Sequence, residues 1–409
     1  MHLRIAARSL AITVATGASF SLALLFSTLP TAADAGFQKW VNGFRATAAQ
    51  SGIKGSTFDR AFRGVDAPDP EVLEKARFQP EFKAPVWDYF DNRVHDNSIA
   101  VGRAMAQKHK ATLDWIEQKF GVDRYILLAI WSMESNYGEI LKNDKVMRSV
   151  VRSLSTLAYA DKKRAKFART QLIAALKILQ SGDIDESHLT GSWAGAMGHT
   201  QFIPTSYQAY AVDADGNGKR DIWNSIPDAL ATAANLLKKN GWQPGKTWGY
   251  EVSLPDGRKF PGGKMSLSKW EASGVTRASG KAFRNGGDNA ELKVLDGRGG
   301  PAFLMTKNFF VLKAYNNADK YALAVGLLAD EIAGYGGLVR DWNRPFTRLS
   351  FDEKQELQEQ LSVHGYYDGK IDGKIGEGTK SAIRAFQAQA GLTQDGHPSK
   401  EVLTTIKRR

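Results

Sequence analysis

Apolar residues recur at spacings of three and four through much of the first 240 residues, which is the periodicity of amphipathic helices. The pattern is clearest over residues 106–120 and 125–133, within a mostly helical stretch at 37–169, and it returns over 171–180 and 227–239. Several short helices packed against one another are therefore predicted.

The periodicity changes between residues 248 and 308, where glycines and β-forming residues replace the helical spacing. This composition predicts a small strand-bearing insertion. Helical spacing resumes over 308–335, and a segment containing Pro345 then has the character of a linker. The predicted divisions are a signal peptide at 1–35, a first domain at 36–340 with its insertion at about 245–308, a linker at 341–349 and a second domain at 350–409.

The N-terminal residues have the pattern of a secretory signal. Arg4 and Arg8 precede a mostly apolar run at 10–29, and a small-x-small triplet ends at Ala35, where we expect cleavage. The alternative is an uncleaved anchor, since the run approaches the ~20 residues that span a bilayer. We expect the mature protein to be exported, periplasmic and soluble, without a transmembrane segment. Because the sequence has no cysteine, it has no lipid-modified cysteine either.

Composition narrows the function classes. The 409 residues contain no cysteine, which excludes disulfide frameworks, thiol nucleophiles and cysteine-ligated metals. Lys and Arg number 55 against 43 Asp and Glu, a formal net charge of +12. A basic body could meet nucleic acid, anionic lipid or an anionic polymer outside the cell; the charge alone does not choose among them, and export makes nucleic acid the least favoured. No nucleic-acid motif accompanies the charge, so no nucleic-acid partner is expected.

One carboxylate has an unusual place in the helical pattern. Glu134 falls four residues after Ile130 and seven after Leu127, so on a helix it lies on the buried apolar stripe. Burial disfavours the ionised form, and a helix C-terminus signalled by Asn136 and Gly138 acts in the same direction. Glu134 is therefore expected to have a raised pKa and to act as a general acid. The alternative is a carboxylate at a frayed helix end that reaches solvent or pairs with a downstream basic residue.

A glycine-rich loop follows at residues 191–207. Its glycines permit close backbone approach, Ser192 and Gln201 supply neutral hydrogen-bonding groups, and aromatic residues supply flat apolar faces. Such a surface suits a sugar, and the alternative is a packing loop with core aromatics. No second histidine or carboxylate lies at metal-ligand spacing from His199, so His199 is expected to have a structural role.

The segment from Asp213 to Asn224 has the ligand spacing of a calcium loop, with oxygen-bearing side chains at its first, third and fifth positions and glycine at the sixth. Asn224 occupies the last position, where a complete site has a bidentate carboxylate. Either the ion is bound weakly or a later carboxylate closes the shell, and a turn without metal is the alternative. A structural calcium site here would use Asp213, Asp215, Asn217, the Lys219 carbonyl and, at the ninth position, Asp221, with Asp228 as the later carboxylate that could close the shell.

Together these motifs resemble the membrane-bound lytic murein transglycosylase B family. The likeness runs from about residue 37 to 335 and rests on four motifs in order, which are Glu134-Ser-Asn-Tyr-Gly, the glycine-rich loop, the Asp213 loop and Tyr315-Asn-Asn-Ala-Asp-Lys-Tyr321. The resemblance implies a mainly α fold, with a lysozyme-like helical catalytic domain that carries a small strand-bearing insertion, followed by a C-terminal three-helix module.

The resemblance also implies roles for individual residues. Glu134 takes the place of the family's single catalytic acid. Lys163 stands where the family often has arginine, which puts bidentate recognition there in doubt. The residues that match the family's substrate groove are Tyr89, Lys163, Arg164, Ser192, Gln201, Tyr315, Asn316 and Tyr321.

The tail is similar to the peptidoglycan-binding module that often accompanies wall hydrolases. Helical patterns at 352–363 and 379–390 flank a loop rich in glycine and aspartate, and Thr379 is expected to cap the second helix. The tail carries as many acidic as basic residues, so hydrogen bonding and stacking are expected to outweigh simple ion attraction. A helical dimerisation tail is the alternative.

The resemblance implies cleavage of the MurNAc–GlcNAc β-1,4 bond of peptidoglycan strands without water, which leaves 1,6-anhydro-MurNAc ends. Glu134 would first protonate the leaving oxygen and then deprotonate the C6 hydroxyl that attacks C1, with no cofactor needed for the chemistry. A hydrolase with its own nucleophile or base needs two carboxyl groups, and the sequence shows one conspicuous candidate. A hydrolytic muramidase and a non-catalytic wall-binding scaffold are the alternatives.

Overall fold

The computed structural model describes residues 34–77, 85–257, 259–260, 262–297 and 299–409. All but the last two residues of the predicted signal peptide lie outside these ranges. Within them, no helix is both long and apolar enough to cross a membrane.

Helices make up most of the larger body. They are α1 (Ala35–Gln50), α2 (Gly55–Ala61), α3 (Pro70–Arg77), α4 (Val86–Asp91), α5 (Asp96–Lys108), α6 (Lys110–Phe120), α7 (Arg124–Ser135), α8 (Val150–Ala160), α9 (Ala165–Ser181), α10 (Pro204–Tyr210), α11 (Ile226–Lys239), α12 (Leu267–Ala272), α13 (Lys307–Leu312) and α14 (Asp319–Ala333).

The α7 helix lies at the centre of this body, in contact with α5, α6, α11 and α14. Apolar residues surround it on almost every side, which is the composition of a fully buried helix. It begins at Asp123, whose carboxylate accepts a hydrogen bond from Tyr125 N at 2.7 Å. It ends at Asn136, which adopts the left-handed conformation with φ 49°.

Two antiparallel sheets complete the body. A short ribbon joins β1 (Arg148–Ser149) to β2 (Thr190–Gly191). The larger sheet contains β3 (Gly249–Ser253), β4 (Lys264–Ser266), β5 (Thr276–Arg277), β6 (Asn289–Val294) and β7 (Ala302–Met305) in the spatial order β4-β6-β7-β3-β5. Gly249, at the start of the first strand, pairs with Met305, at the end of the last one. The chain therefore leaves the helical body and returns to it at neighbouring points. A small apolar cluster around Trp270 forms the core of the sheet.

The C-terminal module consists of α15 (Phe351–Val363), α16 (Glu377–Ala390) and α17 (Lys400–Ile406) around a separate apolar core. The α16 helix begins before the position predicted for it, with Gly376 at its N-cap. Thr379 is therefore not the cap. It is buried, and its hydroxyl accepts a hydrogen bond from the buried Gln358 amide at 3.2 Å.

The module is attached to the helical body through α4 and the residues after it. Lys380 donates to both carboxylate oxygens of Asp88, at 2.8 and 2.7 Å. Arg344 pairs with Asp91 at 2.6 Å, and the Trp342 ring stacks on Phe90 at 4.4 Å. The segment predicted as a linker therefore packs against the helical body, because its buried tryptophan and arginine have partners there.

Two glycine-to-alanine substitutions test this packing. Gly326 lies on α14 against Trp248, and a Cβ there would come within 2.4 Å of the indole ring. We expect Gly326→Ala to lower the melting temperature through a loss of about 1–3 kcal/mol. Gly43 lies on the exposed face of α1 with nothing within 4 Å, so Gly43→Ala is expected to stabilise the protein by about 0.5–1 kcal/mol. Thermal unfolding of both variants measures the contrast, and equal shifts would contradict the packing described here.

Candidate active site

Glu134 lies in the last turn of α7 and is held by a residue from α14. The Tyr321 hydroxyl donates a hydrogen bond of 2.5 Å to Glu134 Oε1 across 187 positions of sequence. The two helices pack along their lengths, and Tyr321 is itself buried. The carboxyl group is therefore fixed by tertiary packing, and it does not lie at a frayed helix end.

The environment of Glu134 raises its pKa. Burial disfavours the ionised carboxylate and raises the pKa to about 7, while the Tyr321 hydrogen bond and the charge of Arg93 act against the rise. The residue retains some accessible surface, so it is closely surrounded by protein without being sealed off. At neutral pH this carboxyl group is present in both protonated and ionised forms.

Two tyrosines connect Glu134 to the glycine-rich loop. The Tyr315 ring is nearly parallel to the Tyr321 ring, at 6.3 Å and 12°. Its hydroxyl donates to the Thr200 carbonyl, and its ring meets the edge of Phe202 at 5.4 Å. Asn316 follows Tyr315 and is exposed. The predicted second wall of the groove thus stands beside the carboxyl group.

The predicted sugar-contacting residues of the glycine-rich loop also shape the loop. Gln201 has a left-handed backbone with φ 48°, and its amide donates to the Gly198 carbonyl at 2.8 Å. The Ser192 hydroxyl accepts from the Ala194 and Ala196 amides at 3.3 and 3.1 Å. Gly198 is required because a Cβ there would lie 2.4 Å from the Ile222 carbonyl oxygen.

Three further predicted groove residues occupy different surroundings. Tyr89 is on α4, where its ring meets the edge of Phe90 at 5.7 Å, and its phenol contributes to the raised pKa of Tyr321. Arg164 pairs with Asp161 at 2.8 Å and lies 5.7 Å from the Trp193 ring centroid, whereas Lys163 is exposed. The basic pair is therefore joined to the glycine-rich loop through Trp193.

Sequence reasoning missed Arg93. Its guanidinium lies 5.6 Å from the Tyr89 ring centroid and donates to the Met133 carbonyl at 3.5 Å. Its charge lowers the pKa of Glu134. The only signal in the sequence was its position four residues after Tyr89.

His199 has the structural role expected for it. Its Nδ1 accepts a hydrogen bond from the Trp131 indole at 3.1 Å, and its carbonyl accepts from the Ser135 hydroxyl at 2.6 Å. Burial lowers the pKa of His199 to about 4, so the ring is neutral at pH 7. Trp131 and Ser135 belong to α7, so this histidine ties the glycine-rich loop to the helix that carries Glu134.

Three carboxylates of the predicted calcium loop come together. Asp213, Asp215 and Asp228 each place one oxygen within 4.8 Å of the others. Asp228 is fully buried, and burial together with the charge of Asp215 raises its pKa, while hydrogen bonds from the backbone amides of Ala214 and Asp221 oppose the rise. A set of converging hard oxygen atoms fits a calcium ion.

The remaining acidic and amide groups of this loop make turns. The Asp221 carboxylate accepts from the backbone amides of Trp223 and Asn224 at 3.0 and 2.9 Å. The Asn217 side-chain oxygen accepts from Lys219 N at 2.8 Å. The end of the loop meets the groove, because His199 N donates to the Ile222 carbonyl at 2.9 Å.

Comparisons with known proteins agree with this geometry. The family described as "Transglycosylase SLT domain" matches residues 36–330, and the one described as "Putative peptidoglycan binding domain" matches residues 352–406. A curated relative, membrane-bound lytic murein transglycosylase B of Escherichia coli (strain K12), is 29% identical over 245 residues. That alignment covers 59% of this chain and 65% of the relative, so the chain spans just under two thirds of the relative's length.

Solved structures extend the likeness to the whole architecture. SltB3 from Pseudomonas aeruginosa in complex with NAG-anhNAM-pentapeptide is 45% identical with a TM-score of 0.72, and the match covers 91% of this chain and 100% of SltB3. SltB1 from the same organism is 29% identical with a TM-score of 0.62, covering 72% of this chain and 99% of SltB1. The predicted family and fold class are confirmed: this chain belongs to the transglycosylase SLT domain family, and a peptidoglycan-binding domain follows at its C-terminus.

Proposed function

We propose that this protein is a lytic transglycosylase, which cleaves the MurNAc–GlcNAc β-1,4 bond of peptidoglycan and leaves 1,6-anhydro-MurNAc ends. The observation that carries the proposal is a single carboxyl group, Glu134, whose pKa is raised to about 7 at the end of a buried helix. Family membership supports it, as does SltB3, a relative in complex with an anhydro-sugar peptide.

The surroundings of Glu134 favour a transglycosylase over a hydrolase. Glycosidases that use water employ two carboxyl groups roughly 5–9.5 Å apart. A second carboxylate at that distance would raise the pKa of the first by like-charge repulsion. Within the described ranges, the charged side chain that acts on Glu134 is Arg93, and no Asp or Glu does so. The C6 hydroxyl of the substrate is therefore the nucleophile in this proposal.

The proposed reaction has two proton transfers through one residue. The protonated carboxyl of Glu134 donates its proton to the leaving glycosidic oxygen as the bond to C1 breaks. The resulting carboxylate is stabilised by the Tyr321 hydroxyl and the Arg93 charge. It then takes the proton of the C6 hydroxyl, whose oxygen bonds to C1 and closes the anhydro ring. Because this hydroxyl belongs to the same sugar, its effective concentration favours it over water.

The groove and the second domain would bind the polymer at the periplasmic cell wall. Tyr89 and the tyrosine pair next to Glu134 present aromatic surfaces suited to sugar rings. The groove residues in this proposal are Tyr89, Lys163, Arg164, Ser192, Gln201, Tyr315, Asn316 and Tyr321.

We also propose that the acidic loop holds a structural calcium ion. Asp213, Asp215 and Asp228 would supply carboxylate oxygens, with the Asn217 side chain and the Lys219 carbonyl as further ligands. The ion would neutralise three clustered carboxylates and stiffen the loop that supports Gly198 and His199.

Glu134→Gln tests the proposed acid and base. The variant keeps an oxygen for the Tyr321 hydroxyl but has no proton to donate, so we expect a folded protein that releases no anhydro-muropeptides from purified sacculi. The measurement is product analysis by mass spectrometry, which also separates anhydro ends from reducing ends by the mass of one water. Glu139→Gln, at an exposed carboxylate paired with Lys142, is the control and should retain activity. Normal product release by Glu134→Gln would refute the proposal.

The raised pKa of Glu134 predicts two pH effects. Activity should decline as the pH rises above about 7, since the acid form is then lost.

The folded state retains the proton of Glu134 between the usual pKa of 4.5 and about 7, so ionisation of Glu134 costs stability as the pH rises through that window. We expect Glu134→Gln to be more stable than the wild type at pH 8 by roughly 1–3 kcal/mol, and to lose this advantage at pH 4. Melting temperatures at the two pH values check the sign, and a pH-independent difference would be inconsistent with a raised pKa.

Chelation tests the calcium proposal. Removal of calcium with a chelator is expected to lower the melting temperature of the wild type, and added calcium should restore it in a concentration-dependent way. Anhydro-product release at low temperature should persist, because the ion takes no part in the proton transfers. Asp213→Asn should show a much smaller response to the chelator. A wild-type protein with no thermal shift would contradict the calcium site.

A further inference from the structure

A pocket of about 210 Å³ lies where the C-terminal module meets the helical body. Arg93 and His95 line it from the segment after α4, and Met133 and Asn136 line it from the end of α7. Lys374, from the loop between α15 and α16, completes the lining. The two domains thus build the pocket together, and Met133 immediately precedes Glu134.

The basic groups of this pocket have no acidic partners. Among the described residues, no carboxylate lies within 4.0 Å of the Arg93 guanidinium or the Lys374 ammonium, whereas nearby Lys380 is paired with Asp88. The backbone of Lys374 is fixed, since its carbonyl accepts from the buried Gln358 amide at 3.0 Å. Two positive charges, one from each domain, therefore lie at a shared pocket without an ion pair in the described ranges, and Arg93 acts on Glu134 from a greater distance.

A second pocket of about 300 Å³ lies on the same domain boundary and shares His95 with the first. Lys354 lines it and is only 5% exposed, yet no carboxylate in the described part of the chain is within ion-pair distance of its ammonium. Arg348 also lines this pocket and has only a distant contact with Asp91, at 3.6 Å. Asp96 is the acidic residue of the lining. Burial of an unpaired ammonium is costly, and an anionic ligand would remove that cost.

The charges converge on His95. Burial, followed by the charges of Lys374 and Lys354, lowers the pKa of His95 to about 4, which shows that both lysines act on the same ring. The histidine is therefore neutral at pH 7, and its Nδ1 accepts a hydrogen bond from Ser98 N at 3.1 Å at the start of α5.

We propose that this interdomain crevice binds the carboxylates of the stem peptide carried by the peptidoglycan strand, through Arg93 and Lys374 at the end of α7 and through Lys354 in the adjoining pocket. The inference rests on the proposed function and extends it to the substrate's peptide. The sugars at the scissile bond are neutral, whereas a stem peptide branches from MurNAc and ends in a carboxylate. SltB3, the relative noted above, has also been described in complex with NAG-NAM-pentapeptide.

The test compares peptide-bearing strands with the same strands after an amidase has removed the peptides. We expect Lys374→Gln to lower kcat/KM on peptide-bearing strands by about tenfold, the range of one charge-assisted hydrogen bond, and to leave kcat/KM on stripped strands unchanged. Lys370→Gln, at an exposed lysine of the same loop, is the matched control and should change neither value. Lys354→Met, which keeps the packing volume, should reproduce the selective loss without a lower melting temperature.

The outcomes separate this inference from the function on which it rests. A wild-type protein that releases no anhydro ends from either substrate would overturn the proposed function itself. If the wild type is active, an equal loss by Lys374→Gln on both substrates would show a positional effect and overturn the inference. No loss on peptide-bearing strands, by either lysine variant, would overturn it as well.

Discussion

The structure depends on one carboxyl group placed at the end of a helix that is otherwise apolar on almost every side. Burial disfavours the ionised form of Glu134 and raises its pKa, and the ionised form is the one that acts as a base. The Tyr321 hydrogen bond and the Arg93 charge favour the ionised form. The balance places the pKa at about 7, so the same group can give and take a proton near neutral pH.

A continuous set of contacts supports this balance. The α14 helix supplies Tyr321, and Tyr315 before it binds the glycine-rich loop through the Thr200 carbonyl. His199 then joins the glycine-rich loop both to α7 and to Ile222, near the end of the loop from Asp213 to Asn224. A disturbance at the cluster would therefore reach the glycine-rich loop through hydrogen-bonded backbone.

The C-terminal module also contributes charged side chains to the domain boundary. It carries equal numbers of acidic and basic residues, yet the charges are distributed unevenly. Lys380 fixes it to Asp88, whereas Lys354 and Lys374 face the domain boundary without acidic partners. A module that is neutral as a whole thus has a local positive surface at the boundary with the helical body.

The sequence by itself determined the features that depend on local spacing. The spacing of apolar residues placed Glu134 on the buried stripe of α7, and Asn136 and Gly138 predicted the end of that helix. The spacing of oxygen-bearing side chains from Asp213 identified the acidic loop. These predictions succeed because backbone geometry fixes which neighbours along one helix or loop lie together. Only the tertiary structure decided which distant groups meet them. The bond from Tyr321 to Glu134 joins residues 187 positions apart, and the sequence gives no distance between α7 and the segment that carries Arg93. The sequence offered both Asp221 and Asp228 as oxygen ligands, and the folded backbone separates them: the Asp221 carboxylate caps a local turn, whereas the buried Asp228 joins Asp213 and Asp215.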